Sequence, residues 1–259
     1  MLYFIAKIGT MTLSFFSELG QIFILLINIL RYVPRVIKDR RLVIEQMSIV
    51  GSDSLPLVIL IGAFTGAIAA IQATSLFTKF NMLGLAKGFI GSSIATVVFT
   101  ELTPVLTALV IAGRVGGAIA AQLGTMNVSE QIDALDMMAI DKNRFLGMPR
   151  VFAALVMMPI LAVFSSVVAL GGGFIITQIK YDFTFFAFFD SVSKFFRLSE
   201  VITCLSKALI FGSVTALIGC HVGFQTTGGA EGVGNSTVRA FTISAASILI
   251  IDAIFGALF

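Results

Sequence analysis

The sequence predicts an all-α polytopic membrane protein with an N-terminal interfacial helix, five transmembrane helices and a cytoplasmic helix between the second and third spans. Three observations predict it. Of 259 residues, 58% are hydrophobic and 12% charged, far outside the range of a soluble globular domain. Five apolar segments reach the ~20 residues that a helix needs to cross a bilayer. The densest basic run, Arg31 to Arg41, precedes the first of them and orients the rest. Residues 1–259 thus form a single transmembrane domain with no room for a sizeable soluble one, so any catalytic domain has to come from another chain. A net charge of +3 does not imply nucleic acid.

Residues 11–30 come first. Ser14, Ser17, Glu18, Gln21 and Asn28 recur at helical spacing against Phe15, Phe16, Leu19, Phe23, Leu26 and Ile27. One polar stripe on an apolar helix suits an element lying along the membrane interface. No small-residue cleavage site follows the early lysine, so no cleaved signal peptide is expected. The spans expected are 54–77, 90–121, 151–179, 200–222 and 237–258. With the basic run in the cytoplasm, the loop Lys79 to Lys87 is external. Residues 122–150 return inside, and 180–199 are external. The last of these loops holds seven phenylalanines, which suggests a helix on the outer interface. Gly228 to Gly234 then reads as a tight internal turn, because no Lys-Ser/Thr follows to make it a phosphate cradle. The pairs Gly62/Gly66, Gly113/Gly117 and Gly219/Gly223 allow close helix approach, within one subunit or between two. Cys204 and Cys220 fall in one span and read as small packing residues. His221, near the inner end of that span, reads as a solvated helix-end residue.

Three ionisable residues lie well inside spans: Glu101, Lys207 and Asp252. Each costs ~2.5–3.5 kcal/mol to insert, so each is expected to be paired or to face water. At ~1.5 Å per residue they fall ~15, ~11 and ~10 Å from the outer ends of their expected helices, in one layer. A lysine between two carboxylates is either an internal ion-pair lock or the polar lining of a cavity open toward the outer leaflet. A proton relay is a third reading. Pro104, three residues after Glu101, removes a backbone donor and is expected to bend the second helix, as a gate or to pack around a neighbour. Neither a catalytic triad nor a set of metal ligands accompanies these residues.

Between the second and third spans, Asn127 and Glu130 have capping-box spacing. The helix expected over 128–139 shows Val128, Ile132, Leu135 and Ala139 on one face, with Glu130, Asp133 and Asp136 elsewhere. Its acidic residues gain nothing from an anionic leaflet, so a groove on a cytosolic partner suits it better. Gly-x-x-x-x-Gly-Lys-Ser/Thr is absent, so if ATP drives this chain it is bound elsewhere.

Several runs resemble one family. Glu101-Leu102-Thr103-Pro104-Val105-Leu106-Thr107-Ala108-Leu109, Ala112-Gly113-Arg114-Val115-Gly116, Leu123-Gly124-Thr125-Met126, Glu130-Gln131-Ile132-Asp133-Ala134-Leu135 and Pro149-Arg150 are similar to the signature of the MlaE/YrbE permeases. These are the transmembrane subunits of bacterial and plastid lipid-transporting ABC systems. The resemblance covers nearly the whole chain. It implies a homodimer in the bacterial inner membrane, two copies of a cytosolic ABC ATPase carrying ATP and Mg, and an MCE-domain lipid-binding protein on the outer side. Phospholipid moving between inner and outer membranes is the implied cargo. Residues 128–139 match the family's coupling helix, with Glu130, Gln131, Ile132, Asp133 and Leu135 as its ATPase contacts. Residues 11–30 match its interfacial helix, and Glu101, Lys207 and Asp252 its intramembrane charges. Two positions depart from the pattern: Gln122 stands where a Glu is usual, and Lys142 where a Pro is usual.

The function expected is therefore a permease subunit, with no enzymatic activity or cofactor of its own, that moves phospholipid through a cavity near Glu101. An ion- or proton-coupled secondary transporter or channel using the same charge layer is the main rival. A structural scaffold is the second.

Overall fold

A computed structural model describes residues 2–79 and 83–258, and among these every regular element is helical. In chain order they are α1 (Leu2–Leu30), α2 (Arg40–Val50), α3 (Leu55–Lys79), α4 (Leu83–Val97), α5 (Thr103–Ile111), α6 (Gly117–Val128), α7 (Gln131–Met137), α8 (Met148–Tyr181), α9 (Phe185–Phe195), α10 (Leu198–Phe224) and α11 (Gly229–Leu258). Wide π-helical turns at Val98–Leu102 and Ala112–Gly116 join α4, α5 and α6 into one long rod, and a third, Asn143–Gly147, leads into α8. Among the described residues, six stretches are long and apolar enough to cross a membrane: the five expected spans and Phe16–Arg35 near the N-terminus.

Most observed helices overrun the expected segments, because apolar length underestimates a helix whose polar ends continue past the bilayer. The helix that carries the second span begins at Leu83 and runs through its π turns to Val128, with its membrane-length apolar stretch starting at Gly88. Counted from Leu83, Glu101 would lie ~27 Å along its rod, so the shared layer cannot follow from depth alone. The early turns of α4 pack instead against α9, where the Ser92 N–H donates to Ser191 Oγ at 3.1 Å. The basic segment is also more structured than expected: Arg40–Val50 is a helix, with Val43 and Val50 buried.

α8 is the spine, flanked by α3 and α10, while α10 packs on α6 and α11 as well. Glycine sets these approaches. A Cβ on Gly62 would meet the Ser165 carbonyl at 2.6 Å, and one on Gly219 the Gly116 carbonyl at 2.9 Å. The pairs Gly62/Gly66 and Gly219/Gly223 therefore serve packing inside one chain, whereas Gly113 is exposed and meets only the Phe241 ring, at 3.6 Å. Two apolar cores result. One joins Ile29, Val50, Ile132, Met148 and Phe211, and the other, beneath α9, joins Ile94, Phe99, Phe183 and Phe188.

Four local expectations change. Asn127 sits in the last turn of α6 and donates its amide to the Thr226 carbonyl at 2.9 Å, while Glu130 takes a left-handed φ of 59° without a side-chain cap. There is thus no capping box, because the second span runs on past the position where a new helix was expected. Within Gly228 to Gly234 only Gly228 and Gly229 adopt positive φ, and helix resumes from there, so Gly232 and Gly234 belong to α11. His221 is buried, and its Nε2 has no hydrogen-bond partner among the described residues. On α1, Leu25 and Ile29 are buried in the bundle, Glu18 pairs with Arg239 and Gln21 accepts from Gln225 at 2.6 Å at its edge, and Phe16, Leu19 and Phe23 point outward. Its polar stripe serves the bundle, because an apolar environment leaves polar groups no better partner than protein.

Candidate functional site

Lys207 lies in the middle of α10, 1% exposed, and makes three hydrogen bonds. Its Nζ donates to Thr100 O at 2.8 Å, Glu101 Oε1 at 3.1 Å and Asp252 Oδ1 at 2.8 Å. An ammonium has three donors, and here all three are used. The three ionisable residues expected in one layer are in direct contact, joining α10, α11 and the π turn before α5.

Pro104 explains part of this geometry. It has no N–H to return to the Thr100 carbonyl four residues earlier, and that carbonyl receives the lysine. The Thr103 N–H reaches back five residues to Val98 O, so the backbone widens where the proline would otherwise clash. The expected bend takes the form of a π turn that turns one backbone acceptor over to a buried charge.

The layer is asymmetric. Asp252 is 19% exposed but Glu101 is 50%, so two carboxylates against one ammonium leave a net negative charge at an open edge. Beside it lies a pocket of about 560 Å³ whose walls include Ala69, Gln72, Leu76, Phe77, Val97 and Leu102. Val97 and Leu102 flank Glu101 in sequence. A half-exposed carboxylate next to an apolar slot is chemically an amphiphile site: a polar group at the rim and a chain inside.

Beyond the end of the second span, α7 is only seven residues long. Ile132 is fully buried and Leu135 partly buried in the protein's own core. The apolar face expected to meet a partner is therefore spent inside the chain, because a single helical turn or two needs tertiary packing to exist. Its outward surface consists of Glu130, Asp133, Asp136, Met137 and Met138, with Gln131 bonded to Ser129 at 3.0 Å. The following segment is tied back: Tyr32 donates to Asp141 at 2.6 Å, and Arg144 forms a two-point pair with Asp39 at 3.1 Å.

Sequence reasoning missed a second buried cation. Arg150, 8% exposed in the first turn of α8, donates to the Leu146 carbonyl at 2.8 Å and to Gln122 Oε1 at 3.4 Å, and its Nε has no partner. Its signal was an arginine directly heading an apolar run. Among the described residues, no cluster of His, Cys, Asp or Glu is arranged to hold a metal.

Comparison with known proteins agrees with this architecture. The family model for the permease MlaE matches residues 43–258. A probable ABC transporter permease protein of Synechocystis is 42% identical over 82% of this chain and 79% of its own. One from Rickettsia bellii is 36% identical over 98% and 96%. The Arabidopsis thaliana protein TRIGALACTOSYLDIACYLGLYCEROL 1, chloroplastic, is 34% identical over 88% of this chain and 65% of its own.

Proposed function

This chain belongs to the MlaE permease family, and we propose that it is the phospholipid-moving subunit of an ABC system in a bacterial inner membrane, working as a homodimer. The observation that carries the reading is the Lys207-centred charge layer opening, through Glu101, beside the 560 Å³ apolar pocket. An acyl chain suits the pocket and a polar headgroup suits its charged rim. The plant relative carries the name of a lipid, which supports the cargo class.

In this reading a cytosolic ATPase binds ATP and Mg, and grips the outward surface of α7 through Glu130, Gln131 and Asp133. Ile132 and Leu135 pass the push into the inner core, since they are anchored there rather than on the partner. The second and third spans then tilt about their π turns and the slot beside Glu101 narrows, a two-state displacement with no covalent step. An MCE-domain protein on the outer side receives the lipid. A secondary transporter would use the same charges, but half-exposed Glu101 beside an apolar slot fits an amphiphile better than a desolvated ion.

Mass spectrometry of lipid retained by the purified complex tests this. Wild type is expected to retain phospholipid, and Glu101→Ala to retain several-fold less. Equal retention, or ion current through the purified chain without any ATPase, would overturn the reading.

A further inference from the structure

Arg114 lines a small pocket where α2 meets the second span, and Arg150 lies behind its wall, in contact with Gln122. The pocket, about 130 Å³, has Gln46, Ile49, Arg114, Ala118, Ile119 and Gln122 in its walls. Arg114, Ala118 and Gln122 are spaced four apart and so share one face of the rod. Arg114 Nη1 donates to the Ser54 hydroxyl and to Ile49 O at 3.4 Å, while its other nitrogens have no partner among the described residues. Through Gln122, the far wall of the pocket contacts Arg150.

Neither arginine forms an ion pair among the described residues. Glu45 of α2 forms no ion pair with Arg150 either. A buried guanidinium with an unbonded Nε and a neutral partner at 3.4 Å is short of negative charge. At ~30 Å³ per water, the pocket holds roughly four waters' worth of volume. That is room for one phosphate group and not for an acyl chain.

We propose that this pocket binds the phosphate of an anionic phospholipid from the adjacent leaflet, held by Arg114 and by Gln122 backed by Arg150. The site lies on the cytoplasmic side if the basic run is cytoplasmic, and is separate from the Glu101 pocket. Guanidinium and phosphate are complementary in shape and charge, and Arg114 keeps its free donors for that contact.

The test is a thermal-unfolding titration of the purified full chain in a neutral detergent. Phosphatidylglycerol is expected to raise the unfolding midpoint saturably, and diacylglycerol, which lacks phosphate, is not. Arg114→Gln is expected to weaken the titration about tenfold, the loss of one charge-assisted contact. Gln122→Glu, whose new carboxylate occupies Arg150, is expected to abolish it without harming the fold. An unchanged titration in both variants, or an equal effect of diacylglycerol, overturns the proposal. If inorganic phosphate reproduces the shift and both variants lose it, the lipid as source is overturned. Glu101→Ala is expected to leave this titration unchanged, so its failure and that of the transport reading are distinguishable.

Discussion

Lys207 and Arg150 set the same physical problem at opposite ends of one bundle, and the chain answers it in opposite ways. Both are cations in a largely apolar interior, 1% and 8% exposed. Lys207 has a carbonyl and two carboxylates, so its site is satisfied in hydrogen bonds and over-supplied with negative charge. Arg150 has a carbonyl and a neutral amide, and its Nε is bare. Each imbalance points outward. The surplus negative charge lies at the rim of an acyl-sized slot, and the surplus positive charge lies behind a phosphate-sized one. A wide π turn contributes at each: Thr100 gives up its carbonyl in one, Leu146 in the other.

The comparison breaks most readily at Lys207. Lys207→Met leaves Glu101 and Asp252 facing each other with no cation between them. It also leaves the Thr100 carbonyl without its donor. Removing one partner of a buried pair costs ~3–5 kcal/mol, because the remaining charge stays buried. A large fall in unfolding midpoint, or loss of monodisperse protein, is the expected result. Lys207→Met combined with Asp252→Asn is expected to recover much of the loss. If Lys207→Met unfolds like wild type, the layer is not an ion-pair lock in any sense.

The two sites were unequally legible in the sequence. Glu101, Lys207 and Asp252 were visible because charges are rare in apolar runs, and the structure brings the three together. The depth count behind that grouping assumed that the second span begins at residue 90. The helix starts at Leu83, and the three charges meet through the contacts of Lys207 with both carboxylates. Arg150 escaped notice since it stands at a helix start, where a basic residue looks solvated. Whether it is buried depends on α6 and the Leu146 carbonyl arriving from elsewhere in the chain. The same limit applied to α1 and α7. Periodicity identified an apolar and a polar face on each, but which face meets the bundle is a tertiary decision. Ile132 turned inward, and Glu18, 40% exposed, pairs with Arg239 at the edge of the bundle.

A smaller effect sharpens the contrast at position 122. Gln122→Glu supplies the carboxylate that Arg150 lacks, in a pair already at hydrogen-bonding range and partly open to water. A gain of ~1 kcal/mol in stability is expected, measured as a higher midpoint in neutral detergent. A loss of stability would mean that the protein already compensates Arg150.

The smallest effect is the most discriminating. Arg150→Met replaces an under-satisfied buried cation by an apolar chain of similar length. In neutral detergent this forfeits one bond to the Leu146 carbonyl and one weak bond to Gln122, while removing the desolvation cost of the charge. The two terms nearly cancel, so stability is expected to move by less than ~1 kcal/mol in either direction. The same substitution at Lys207 is expected to cost several times more, although both residues are buried cations. With phosphatidylglycerol present, wild type gains stability and Arg150→Met does not, so a gap opens between proteins that matched without it. A large loss for Arg150→Met without lipid would show that the guanidinium is already well compensated by protein. The two ends of the bundle would then differ in chemistry, and no longer in whether the chain leaves a charge for something else to complete.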